Sequence, residues 1–294
     1  MASTITLKRR ITSIKNTRQI TKAMQLVSAS KMKRAQEYAF KSRAYRDMAF
    51  DLLARLNATR EVENQPLFKV GDVKSRLYIV ITSNSGLAGA YNANVLKLLA
   101  KGLQEDREHK VASKVIVIGN KGGQFVRRLK DVELVAFYSA FGDQPTANDV
   151  RPILNTLIQH YTDGTVDEVR LIYTLFKSNI SQVAQSIKVL PASVENFTGD
   201  NAAPKDAKLI SNFEPDVETV IEQVTTRLVE AQLWQAILES EASFQTMRML
   251  AMKNATDNAK ELIDDYTLEL NTARQASITQ ELAEITGGAE ALNG

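Results

Sequence analysis

Residues 216–286, roughly seventy in a row, contain neither glycine nor proline, the two residues that most strongly interrupt a helix. Within them Met252, Ala255, Ala259, Leu262, Tyr266, Leu270 and Ala273 recur at three- and four-residue steps, which places them on one helical face. At ~1.5 Å per residue, an unbroken helix of this length runs on the order of 100 Å, far longer than an ordinary domain helix. Such a rod needs a second helix to cover its stripe.

The opposite end of the chain supplies one. Residues 1–65 also lack glycine and proline, and they carry a stripe of Leu7, Ile11, Ile14, Ile20, Met24, Val27, Tyr45, Ala49, Leu52 and Leu56. Charge supports the pairing: residues 1–46 hold twelve Lys or Arg and one acid, Glu37, whereas from Asp216 onward fourteen acids face five bases. Opposite charge excess beside an apolar seam favours association of the two helices. Because they bracket a middle segment, the simplest topology is an antiparallel coiled coil with a globular domain at one end.

That middle segment has a different rhythm. Short apolar, β-branched runs at 77–82, 114–118, 133–138, 168–176 and 183–190 read as strands, and the intervening 93–103, 124–129 and 147–161 read as helices, the last with Asn148 as a plausible cap. Alternation on this spacing predicts an α/β layer with a mostly parallel, Rossmann-like sheet. The expected division is an N-terminal coiled-coil helix over 1–65, the α/β domain over 66–213, and a C-terminal coiled-coil helix over 214–294. Pro215 beside Asp216 suits the start of the last helix.

Composition narrows the chemistry. With no cysteine, the chain has no disulfide, thiolate nucleophile or cysteine metal ligand, which fits a reducing compartment. No run approaches ~18 apolar residues, and the start lacks the apolar core of a secretory signal, so a soluble intracellular protein is expected. The turn TSNSGLAGAYN (82–92) lies between strand and helix, where phosphates often bind, yet neither it nor GNKGG (119–123) has a full phosphate-loop pattern. Tight turns explain these glycines better. His109 and His160 are read as solvated or helix-capping, and the adjacent Asp264 and Asp265 as part of a solvated face. No nucleophile–base constellation can be assembled, so no catalytic residue, cofactor or metal is expected.

Lys8, Arg9, Arg10, Lys15, Arg18, Lys22, Lys31, Lys33 and Arg34 could contact a phosphate backbone, but the acidic partner helix neutralises much of that field and stacking aromatics are scarce. A protein partner bearing acids is the better match. The alternatives are a Rossmann-like nucleotide-binding enzyme with helical extensions and a coiled-coil nucleic-acid binder.

The strings LKRRITSIKNTRQITKAMQLVSASKMKRA (7–35) and AMKNATDNAKELIDDYTLELNTARQASITQELAEITGGAEAL (251–292) resemble the gamma subunits of F-type ATP synthases. The resemblance implies a central shaft, one copy per complex, whose paired helices enter a ring of three alpha and three beta subunits. Its α/β domain would sit against the epsilon subunit and the c-ring, and flow of protons or sodium ions would turn it. Catalysis would belong to beta, and the chain would be peripheral at the cytoplasmic face of a bacterial membrane, or the matrix side of an organellar one. By the same resemblance Lys8, Arg9, Arg10 and Lys22, with Met24, face the alpha–beta ring and its acidic loops. Arg274 and Gln275 catch a beta loop, residues 285–292 form a sleeve-like bearing, and Glu214 lies near the c-ring end. The family's glycine loop usually carries an acid–base pair and often Cys, where this chain has Asn84, Ser85 and Ala88, and the cysteine-bearing insert of the chloroplast form is absent.

Overall fold

The computed structural model describes residues 4–57, 66–68, 71–141, 145–192 and 217–293. In chain order the elements are α1 (Thr4–Asn57), β1 (Ser75–Ile81), α2 (Tyr91–Glu108), β2 (Ala112–Ile118), α3 (Asn120–Val126), β3 (Glu133–Tyr138), α4 (Ala147–Thr162), β4 (Glu168–Phe176), β5 (Gln182–Leu190) and α5 (Val217–Asn293). They form two compact units, residues 1–28 with 248–294, and residues 29–247.

In the first unit α1 and α5 run antiparallel. The hydroxyls of Thr21 and Thr256 lie 2.9 Å apart, and the Arg10 guanidinium sits 5.8 Å from the centre of the Tyr266 ring. Leu7 and Ile11 are buried against this seam, as are Met252, Thr256, Ala259 and Ile263. The buried α5 positions step by four, three and four residues, and half-buried Tyr266, Leu270 and Ala273 continue the alternation. A seven-residue repeat of this kind is the mark of a left-handed supercoil.

That repeat corrects part of the expected stripes. Ile20 and Val27 are 61% and 56% exposed, and their neighbours Thr21 and Ser28 turn inward instead. On α5, Leu262 is 45% exposed while Ile263 is 8% exposed. Geometry selects the seam, and a small hydroxyl side chain fits between close helices by bonding its own backbone, as Thr256 does to the Met252 carbonyl at 2.8 Å. The side chains of Tyr45, Ala49, Leu52 and Leu56 lie outside the described residues.

In the second unit the sheet order is β3-β2-β1-β4-β5, with β1 to β4 mutually parallel and β5 antiparallel to β4. On one face Val95 and Leu99 of α2 and Val126 of α3 pack on Tyr78, Val80, Val115, Val117 and Ile172. On the other, Ile153 and Leu157 of α4, with Leu228, Val229, Leu233 and Ile237 of α5, pack on Leu77, Ile79, Ile81, Ile116, Ile118 and Leu171. Burial on both faces is why β1 reads as an unbroken apolar run rather than an alternating one. The cap of α4 is Thr146, not Asn148. Its N–H and hydroxyl both donate to the Asp149 carboxylate at 2.8 Å, and those bonds, the backbone one first, hold Asp149 below the usual carboxylate range. Both histidines tie off helix ends: His109 Nδ1 donates to the Glu105 carbonyl at 2.7 Å, and His160 Nδ1 shares a hydrogen bond with the Thr165 hydroxyl at 2.9 Å.

Candidate functional site

In an open parallel sheet, ligands settle outside the carboxyl ends of the strands where the strand order reverses. Here that point lies around β1, between β2 and β4, and both glycine turns border it. The crevice is already occupied. Ile237, Ser240, Glu241 and Phe244 of α5 line it against Ile81, Thr82, Ser83, Tyr91 and Ile118, leaving a cavity of about 20 Å³, room for one water. The Phe244 ring stands 5.4 Å from that of Tyr91, tilted by 58°. Burial, then the Glu241 charge, pushes the Tyr91 phenol well above its ordinary value.

At the second glycine turn the amides that would cradle a phosphate are also consumed. At the start of α3, the N–H of Asn120 donates to Asn84 Oδ1 (3.2 Å), that of Lys121 to the Ser83 carbonyl (3.0 Å) and that of Gly122 to Thr82 Oγ1 (2.9 Å). Asn84 also bridges to the end of β3, accepting from the Ala140 N–H at 2.9 Å and donating to its carbonyl at 3.0 Å. Gly119 has φ 99°, and a Cβ there would come within 2.2 Å of the Thr82 carbonyl oxygen. Close backbone approach accounts for Gly119, and a Cβ at Gly122 or Gly123 would come within 2.8 Å of the Thr82 side chain or 2.6 Å of the Phe137 side chain, so this second turn serves packing rather than a phosphate.

The charged surface lies in the other unit. Lys8, Arg9, Arg10 and Lys22 are exposed, Met24 is half-buried, and Lys22 Nζ donates to Gln25 Oε1 at 3.3 Å. Arg274 and Gln275 are exposed on α5 just past Ala273, where the seam ends. Since Arg10 faces Tyr266, Arg274 lies about 12 Å along the axis from it, whereas Lys22 and Met24 lie roughly 18–21 Å the other way. The site residues thus form two groups on one helix pair. Glu214 lies outside the described residues. Over 274–289 every residue is exposed, and Ile278, Leu282 and Ile285, at 46%, 60% and 67%, form an apolar stripe with no other described residue of this unit upon it. Polar residues on a buried length of α5, Gln235, Glu239, Ser240 and Ser243, were not foreseen; their one sequence signal is polar side chains falling on the helix face that carries Ala236 and Ile237 into the core.

Residues 3–292 match a family model described as ATP synthase. The chain is 40% identical over 294 residues to the ATP synthase gamma chain of Moorella thermoacetica, covering 99% of this chain and 100% of that one. It is also 40% identical over 295 residues to the ATP synthase gamma chain of Macrococcus caseolyticus, covering 99% and 100%. Among solved structures it resembles a chain of the Tetrahymena thermophila mitochondrial ATP synthase central stalk and c-ring, with TM-score 0.63 and 26% identity over 80% of this chain and 99% of that chain. A chain of the Euglena gracilis mitochondrial ATP synthase matches in fold, with TM-score 0.66 and 19% identity over 98% and 94%.

Proposed function

The chain belongs to the family of ATP synthase gamma chains, and from that premise we propose that it is the central-stalk rotor of an F-type ATP synthase, carrying torque between a c-ring and a catalytic alpha–beta ring. The observation that carries this reading is the bare end of α5, whose exposed apolar stripe continues beyond the paired seam and needs a surrounding partner. The filled switch-point crevice speaks against the alternative of a nucleotide-binding enzyme. Nucleotide chemistry then belongs to beta, and this chain is a non-catalytic subunit. No described helix is long and apolar enough to cross a membrane, so attachment comes through the complex, with epsilon and the c-ring at the α/β domain, on the cytoplasmic side.

In this reading Lys8, Arg9, Arg10 and Lys22, with Met24, face acidic loops of the ring, Arg274 and Gln275 catch a beta loop, and Glu214 lies near the c-ring end. The working division is 1–65 and 214–294 as shaft and 66–213 as coupling domain. Exposed ion pairs contribute only about 0–1 kcal/mol each, so such contacts can be exchanged at every step of rotation, whereas buried ones would hold the rotor. The test is Arg274→Ala with Gln275→Ala in the assembled complex. Rotation-coupled ATP turnover should slow while the subunit stays folded by circular dichroism; unchanged turnover and synthesis would remove these two residues from the role.

A further inference from the structure

We infer that Arg43, Glu239, Gln235 and Ser42 form a register lock that holds α1 at one axial and rotational setting against α5 within the α/β unit. Glu239 is 1% exposed, and its Oε1 accepts hydrogen bonds from Arg43 Nε at 3.1 Å and Gln235 Nε2 at 2.7 Å, with Arg43 Nη2 in ion-pair contact at 3.1 Å. Gln235 faces α1 through two further bonds, accepting from the Ser42 hydroxyl and donating to the Ala39 carbonyl at 3.2 Å. Arg43 extends the same cluster to the sheet, donating from Nη2 to the Phe176 carbonyl at 2.9 Å while its guanidinium lies 4.9 Å from the centre of the Phe40 ring. Three elements, α1, α5 and the end of β4, therefore meet at one guanidinium, that of Arg43.

A cluster of this kind is a poor choice for stability alone. Burying a carboxylate is expensive, and an apolar pair of similar volume often does as well or better. The other carboxylate oxygen, Glu239 Oε2, is buried without a hydrogen-bond partner. What the polar cluster provides is discrimination between registers. Seven residues from Ser42, Ala35 packs with Ala242 beside Phe176, and between the two helices this is a contact of small side chains that would tolerate sliding. After a one-turn slip Glu239 would be a buried charge lacking its guanidinium, which costs far more than shifting alanines. If the stalk reading above holds, the lock keeps the sheet turning with the lengths of α1 and α5 packed on it, because torque on the α/β unit is not lost to slippage of α1 along α5 there.

The experiment replaces the charged pair by an apolar one, Arg43→Met with Glu239→Leu, in the complete ATP synthase. The chain contains no cysteine, so introduced pairs report register cleanly. With the lock intact, Ala35→Cys should cross-link with Ala242→Cys at least about tenfold more than with Thr246→Cys, one turn further along. In the apolar variant the two yields should come within about twofold, and ATP-driven ion pumping per ATP hydrolysed should fall at least about threefold with hydrolysis itself retained. A native cross-link preference, or a native pumping ratio, overturns the inference. Should the apolar pair fail to fold, Ser42→Ala with Gln235→Met removes the other half of the cluster and takes the same two measurements. If the unmodified complex pumps nothing with this chain in place, the stalk reading fails, while the cross-link preference still judges the lock.

Discussion

Replacing Phe244 by alanine would open the crevice that α5 fills. The ring is 6% exposed and packs on Ala88, Tyr91 and Met247. A buried Phe→Ala change costs about 3–5 kcal/mol, of which ~0.5–1.5 belongs to the ring pair with Tyr91. That is a large share of a folding free energy of about 5–15 kcal/mol. Trp234, the only tryptophan, reports on the same core, since its Nε1 donates to the Pro145 carbonyl at 3.2 Å. With a urea slope of about 3 kcal/mol per molar, the fluorescence midpoint should fall by roughly 1–1.7 M. Ultraviolet titration gives an independent check. The Tyr91 phenol is held high by burial first and by the Glu241 charge second, with the Ser240 hydrogen bond pulling the other way. Water entering the new cavity should bring it down toward its ordinary value of ~10. A midpoint drop under about 0.3 M with an unchanged tyrosine titration would show that the ring does not fill the crevice, and would reopen the place where a nucleotide phosphate could bind.

Two other outcomes follow from the same geometry. Met24→Lys adds a cation to the half-buried edge of the seam near Lys22, and should lower the ratio of ion pumping to ATP hydrolysis while hydrolysis continues; normal coupling would place Met24 away from the ring contact. At Glu168, burial works to raise the carboxyl pKa, but the hydrogen bond and charge of Arg170, then those of Arg76, both Nε atoms at 2.6 Å, prevail and hold it below the ordinary value. Its stabilisation is therefore complete above the unfolded-state pKa of ~4.3 and is lost as pH falls through the lower folded value. Urea unfolding measured across that acid range should show the loss in the wild type and a flatter limb in Glu168→Gln; identical limbs would assign the dependence to other carboxylates.

The elements were legible because their signals are local. β3 and β4 fall at 133–138 and 168–176 as the apolar runs indicate, and α5 follows from the long absence of glycine and proline. The seam was legible only in part. Hydropathy favours Ile20 over Thr21 and does not separate Leu262 from Ile263, whereas the supercoil repeat decides which side chain faces inward. Nothing in the first glycine turn states that helix residues about 150 positions later will sit on it, because that fact depends on long-range topology. The same limit hid the cluster at Glu239, whose partners Ser42 and Arg43 lie almost 200 residues away in the sequence. The exposed basic group at Lys8–Arg10 and the pair Arg274–Gln275 were visible as residue types, but their common end of one helix pair needed the antiparallel register.

The far end of α5 has a mechanical consequence. In the first unit two helices are bound side by side up to about Ala273, and beyond it, among the described residues, a single helix continues for some twenty residues, ~30 Å, through Gly287 and Gly288. Bending stiffness drops sharply where a doubled beam becomes a single one, so thermal wobble concentrates in that last segment. Whatever encloses it must supply the alignment that this chain leaves off, and any error in centring will be absorbed there first, before it reaches the paired length below.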